Sequence, residues 1–132
     1  KVYSPIIDRG EADIIISFEL LEAARSLEYL REGGLLLTNT QEINPMPVIT
    51  GAAVYPEAIA EKIAATGVRI DAFDALTPAV STGNTKSVNM VMMGRLSKYL
   101  EFTDEEWMKA IEDSVNAKYM ESCKKAFLLG RS

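Results

Sequence analysis

The chain has 132 residues, 48% hydrophobic and 25% charged, as expected of one soluble globular domain with a real core. Nineteen Asp and Glu against fourteen Lys and Arg give a net charge of -5, and with no basic runs this excludes a nucleic-acid or anionic-membrane surface. One cysteine and no histidine exclude an internal disulfide and an iron–sulfur cluster held by this chain alone; no apolar run nears the ~20 residues of a membrane span, so a cytoplasmic location is expected.

Residues 1–7 read as a short strand, with Pro5 pushing it toward a sheet edge. Ile14, Ile15 and Ile16 then form a buried strand, and residues 18–31 carry the helical stripe Leu20, Ala23, Ala24, Leu27 and Leu30. Gly33 is the expected helix stop, with Gly34 beside it, before a second buried strand at Leu35, Leu36 and Leu37. Two strands apolar at consecutive positions around a helix predict an α/β fold with a mostly parallel sheet.

The segment 41–51, with Pro45 and Pro47, reads as extended, and its apolar Ile43, Met46 and Val48 need a cover. A helix is expected over about 56–66 with Pro56 in its first turn, then a half-buried strand in which Val68, Ile70 and Ala72 alternate with Arg69 and Asp71. Residues 74–86 read as irregular. Ser87 is the expected cap of a central buried helix running to about Leu100, in which Gly94 permits close approach of another backbone. Thr103 and Glu106 form a capping box for the next helix. The last carries Tyr119, Met120, Cys123 and Phe127 on an apolar stripe and ends at Gly130.

Chemistry is mostly missing from this pattern. No G-x-G-x-x-G and no P-loop occur, and without histidine no Ser-His-Asp or Cys-His arrangement can form, which removes an independent hydrolase. Cys123 is expected as a buried, inert thiol. The Met90, Met92 and Met93 cluster reads as core packing. Glu105-Glu106 and Glu112-Asp113 read as solvated helix faces. Glu22 points away from the apolar stripe and shares its outward face with Arg25, Ser26 and Tyr29. That face is either solvated or covered by another subunit. Ligands of open α/β sheets gather at the carboxyl ends of strands, which draws attention to Thr38, Asn39 and Thr40.

The run Gly10-Glu11-Ala12-Asp13, then Phe18-Glu19-x-Leu21-Glu22-Ala23, Tyr29-Leu30, Gly33-Gly34 and Thr38-Asn39-Thr40 resembles the gamma domain of 2-oxoacid:ferredoxin oxidoreductases. Gly83, Asn89 and Gly94 follow in an order resembling that family's G…N…G segment, and Ala126-Phe127-x-x-Gly130 resembles its closing motif. Within the family the resemblance runs first to the small subunit of the indolepyruvate type, then to the pyruvate and 2-oxoglutarate types. It covers essentially the whole chain, although the family often has Asn near the position of Cys123.

The resemblance implies a Rossmann-like three-layer domain spanning 1–132, with a helical C-terminal part and with the family's glycine-rich N-terminal βα segment missing. It implies a non-catalytic core subunit of an enzyme that oxidatively decarboxylates a 2-oxoacid to its acyl-CoA, with electrons passed to ferredoxin. Thiamine diphosphate, magnesium and iron–sulfur clusters are then expected on partner subunits, the thiamine-diphosphate and ferredoxin-type chains, and none on this one. The isolated chain would be inactive and could form a homodimer. Glu22, Tyr29, Asn39 and Asn89 are the residues expected to face a partner or edge the assembled site. The competing reading is a free-standing α/β module that binds a small metabolite at Thr38, Asn39, Ser81 and Asn84.

Overall fold

The computed structural model describes residues 4–132. The start of the strand expected over 1–7 lies outside the described residues. Residues 4–7 form no strand: Ser4 Oγ accepts from the Ile6 N–H at 3.2 Å, a local turn that competes with extended pairing. The chain divides into two compact units, the first ending at Phe73 and the second spanning Asp74–Ser132.

In the first unit the strands are β1 (Ala12–Ser17), β2 (Leu30–Asn39) and β3 (Arg69–Phe73). They form a parallel sheet in the order β1-β2-β3, with Ile15 opposite Leu36 and Leu36 opposite Ile70. Helices α1 (Leu20–Ser26) and α3 (Ile59–Ala65) join successive strands, and a single turn, α2 (Met46–Ile49), precedes α3. Leu20 and Ala23 of α1 and Ile59 and Ile63 of α3 bury against Leu36, with Ile15 and Ile70 beside them. The apolar triplets therefore build a parallel sheet, but only Leu35–Leu37 on the central strand are buried; Ile14–Ile16, on the edge strand, are half-buried where a buried strand was expected.

The long helix expected over 18–31 is cut short. It stops at Ser26, makes one 3-10 turn at Leu27–Tyr29, and β2 begins at Leu30. Ser26 Oγ donates to the carbonyls of Glu22 and Ala23 at 2.9 and 3.0 Å, a back-bonding that loosens the last turn. Gly33 and Gly34 do not close a helix; they lie inside β2. Pairing jumps there from Ala12↔Leu30 to Ile14↔Leu35, so β2 bulges, and Gly33 turns the bulge at φ +77. Arg31 Nε donates to Asp13 Oδ1 at 2.5 Å across it.

Three further expectations change in the loops. The 41–51 segment is not all extended, because Pro47 sits in the first turn of α2, where its fixed φ suits a helix. Pro56 stays outside α3, which the chain enters through Ala58 at φ +53. Residues 74–86 are not irregular; they hold α4 (Leu76–Ser81). Asp74 Oδ1 accepts from the N–H groups of Leu76 and Thr77 at 3.0 and 3.1 Å, so its side chain caps α4. The Thr77 hydroxyl and N–H hold the Asp74 carboxyl below its ordinary pKa.

The second unit continues with a 3-10 turn at Thr85–Ser87, then α5 (Val88–Ser97), α6 (Asp104–Ser114), a 3-10 turn at Ala117–Tyr119 and α7 (Met120–Arg131). α5 and α7 cross with backbones in contact. A Cβ on Gly94 would lie 2.0 Å from the Phe127 carbonyl oxygen, and one on Gly130 would lie 2.0 Å from that of Val91. The capping box forms as expected: Thr103 Oγ1 accepts from Glu106 N–H at 3.2 Å, and Glu106 Oε2 accepts from Thr103 N–H at 3.3 Å. Thr103→Ala should lose about 1 kcal/mol in chemical denaturation, and a loss below ~0.3 kcal/mol would show that the box is idle. Ser87 does not cap α5. Asn84 caps the preceding turn instead, accepting from Lys86 N–H at 3.0 Å, and the Ser87 hydroxyl is buried without a partner.

Candidate functional site

The carboxyl ends of β1 and β2 are organised by a residue that the pattern of the sequence did not single out, Glu19. It follows β1 by two residues and precedes α1, where its carboxylate accepts from the Glu22 N–H at 2.8 Å as a helix cap. The same carboxylate accepts from the Ile43 N–H at 3.1 Å and from the Tyr55 hydroxyl, and Tyr55 Oη in turn accepts from the Leu21 N–H at 3.1 Å. One buried side chain thus ties both ends of the 43–55 segment to the start of α1. A glutamate just before a helix is a readable cap signal. Its long-range partners are not.

Burial by itself would push the Glu19 carboxyl up; the hydrogen bonds from Tyr55, Glu22 and Ile43 outweigh it and hold the group below its ordinary pKa. The Tyr55 phenol is pushed the other way, upward, first by burial and then by the proton it gives to Glu19. With three donors on it, Glu19 is a fastener of backbone and loop. The segment it fastens is apolar and uncovered: Met46, Ile49 and Val54 are 69%, 67% and 88% exposed, and Ile43 is exposed as well.

The residues read from the sequence separate into two groups. Glu22 is exposed, ion-paired to Arg25 at 2.5 Å, and borders a groove of about 330 Å³ with Ser17, Phe18 and Glu19. Tyr29 is exposed on the 3-10 turn and does not border that groove. Asn39 is fully buried, and its Nδ2 donates to the Phe18 carbonyl at 3.2 Å and to Gln41 Oε1 at 3.3 Å. Thr38 is fully buried too, so neither residue lies open at the sheet edge. Asn39 acts from inside, holding the β1–α1 connection that carries the exposed Phe18.

Asn89 belongs to the second unit. Exposed at the start of α5, it accepts from the Met90 N–H at 2.8 Å and borders an open cleft of about 820 Å³ with Gly83, Asn84, Ser87 and Cys123. Cys123 is therefore part-exposed at a cleft, where a buried thiol was expected, because the turn at Ala117–Tyr119 starts α7 beside that opening. Gly94 and Gly130, from two separate motifs, meet in one helix crossing, so their role is packing. Among the described residues no cluster of three or more Cys, Asp or Glu side chains could hold a metal ion, and no helix is long and apolar enough to cross a membrane.

Residues 1–132 match a protein-family model described as pyruvate ferredoxin/flavodoxin oxidoreductase. The chain is similar to the indolepyruvate oxidoreductase subunit IorB of Thermococcus kodakarensis, 37% identical over 98% of this chain and 66% of that protein. The subunit of the same name from Pyrococcus horikoshii is similar at the same identity and coverage. The chain therefore spans 66% of the length of these curated relatives. Among solved structures, the gamma subunit of a keto/oxoacid ferredoxin oxidoreductase from Geobacter sulfurreducens superposes with a TM-score of 0.66. That alignment covers 92% of this chain and 63% of the other at 20% identity, a likeness of fold.

Proposed function

The chain belongs to the pyruvate ferredoxin/flavodoxin oxidoreductase family, and from that premise we propose that it is a non-catalytic core subunit of a 2-oxoacid:ferredoxin oxidoreductase of the indolepyruvate or pyruvate type. The enzyme cleaves the bond between the carboxylate and the oxo carbon of a 2-oxoacid and releases carbon dioxide. The acyl group goes to the thiol of coenzyme A and the electron pair to ferredoxin. The observation that carries the reading is the match along the whole chain, joined to 37% identity with relatives named as subunits of an indolepyruvate oxidoreductase.

The sequence holds one cysteine, fewer than the about four thiolates that an iron–sulfur cluster takes, which supports placing the clusters on other chains. Thiamine diphosphate, magnesium and the clusters belong, in this reading, to partner subunits, and the complex works in the cytoplasm. The apolar 43–54 segment and the Glu22 and Tyr29 face meet those partners. Asn39 shapes the site edge from within, and Asn89 edges the assembled site from the second unit. Residues 1–132 act as one gamma-type domain.

Co-expression with the thiamine-diphosphate-binding subunit from the same genome tests this. The chain should co-elute with that subunit, and 2-oxoacid- and CoA-dependent reduction of ferredoxin should drop at least tenfold when the chain is omitted. Elution of the chain by itself, with unchanged activity of the other subunit, would overturn the proposal.

A further inference from the structure

The charge of the chain is concentrated on the unit that holds the exposed apolar segment. Residues 1–73 carry eleven Asp and Glu against six Lys and Arg, and residues 74–132 carry eight of each, so the net charge of -5 belongs to the first unit. Three of its arginines already have acidic partners: Arg9 pairs with Glu28 at 3.3 Å, and Arg25 with Glu22 and Arg31 with Asp13 at 2.5 Å each. Between Arg31 and Lys62 the sequence has no basic residue, and the apolar segment lies in that stretch. Glu42 precedes it and Glu57 follows it, both exposed and, among the described residues, in no ion pair. Glu42 lies close enough to Tyr55 to help hold its phenol up.

The segment is also preformed. The N–H groups of Ile49, Thr50 and Ala53 donate to the carbonyls of Pro45, Met46 and Pro47 at 3.1, 2.9 and 3.0 Å, so its own backbone closes the turn that carries Met46 and Ile49. Apolar side chains exposed on a frame already fixed mark a protein contact, because little ordering cost is left for binding. The charges choose the occupant. A second copy of the chain would bring Glu42 and Glu57 against the same acids, and an anionic membrane would meet the same repulsion. We propose that the 43–54 segment docks on a partner protein surface whose apolar centre is bordered by Lys and Arg, set against Glu42 and Glu57. The inference rests on the subunit role proposed above and adds the chemistry of the surface that receives the segment.

The test titrates the labelled full chain against the remaining subunits of the complex, co-expressed from the same genome without it. Glu42→Lys combined with Glu57→Lys should weaken binding at least about tenfold at about 50 mM NaCl, and the ratio to wild type should shrink at about 500 mM. Met46→Ser combined with Ile49→Ser should weaken binding about tenfold or more at both salt concentrations. All four side chains are exposed, so the variants should keep the wild-type circular dichroism spectrum, and Glu42→Gln with Glu57→Gln serves if the charge reversal does not fold. Wild-type affinity in a folded charge variant or in a folded apolar variant would overturn the proposal and leave the subunit role standing. So would self-association of the isolated chain that Met46→Ser with Ile49→Ser abolishes, since a second copy would then occupy the segment. Failure of the wild-type chain to bind the other subunits would remove the subunit role, and this docking with it.

Discussion

Gly94→Ala is expected to lower the stability of the second unit by about 3 kcal/mol or more, one methyl group in the wrong place. The new Cβ would stand 2.0 Å from the Phe127 carbonyl oxygen and 2.9 Å from the Arg131 nitrogen. Both are backbone atoms of α7, so no side chain can swing aside, and α5 and α7 must separate. Separation loosens the burial of Val91 and Met92 on one helix and of Ala126 and Phe127 on the other, all at or near zero exposure. A melting temperature lower by more than about 10 °C is the expected reading. Gly130→Ala should behave alike, since its Cβ meets the Val91 carbonyl oxygen at 2.0 Å. The double variant should cost less than the sum of the two, because the first already opens the crossing. Lys125→Ala, exposed on α7, should stay within about 0.5 kcal/mol. A melting temperature for Gly94→Ala within 2 °C of wild type, as an order-of-magnitude criterion, would refute the close crossing.

Glu19→Ala should cost about 3 kcal/mol, because it removes the α1 cap and strands the donors of Ile43 and Tyr55. Tyr55→Phe should cost about 1–2 kcal/mol. A double-mutant cycle of the two should show coupling of about 1 kcal/mol or more, since both report one hydrogen bond. Additive losses would separate them. Hydrogen exchange at Ile43 should speed up in Glu19→Ala, marking release of the apolar segment, and in the proposed complex the same variant should weaken subunit association.

The pH dependence has a fixed sign. Glu19 in the folded chain sits below its unfolded pKa of about 4.3. Its contribution is therefore complete above that value and disappears as pH falls through the lower, folded one. Asp74 is held low as well and adds to the same acid loss. In Glu19→Gln the stability should fall less steeply between about pH 5 and pH 2 than in wild type. At the alkaline end the Tyr55 phenol is held up, so its contribution is present below about pH 10 and is lost above it.

The sequence by itself determined features whose physics is local. Consecutive apolar residues at Ile14–Ile16 and Leu35–Leu37 predict strands of a parallel sheet, and they pair in parallel. Thr103 and Glu106 satisfy each other's backbone three residues apart, so their box needs no tertiary help. Gly94 announced a close backbone approach, because glycine inside a helix has little other use. The family, too, was legible from ordered short motifs, and the match over 1–132 agrees.

Tertiary structure decided everything that depends on a partner far along the chain. Gly33 and Gly34 signal a helix stop as readily as a strand bulge, and only the flanking pairs, Leu30 with Ala12 and Leu35 with Ile14, choose the bulge. Asn39 reads as an exposed amide until the Phe18 carbonyl and Gln41 take it inside. Glu19 reads as one more helix-start acid, and its clamp on Ile43 and Tyr55 exists only once the chain between Glu19 and Tyr55 is folded back. Patterns over a few residues report which face is buried. What that face meets is settled by the fold.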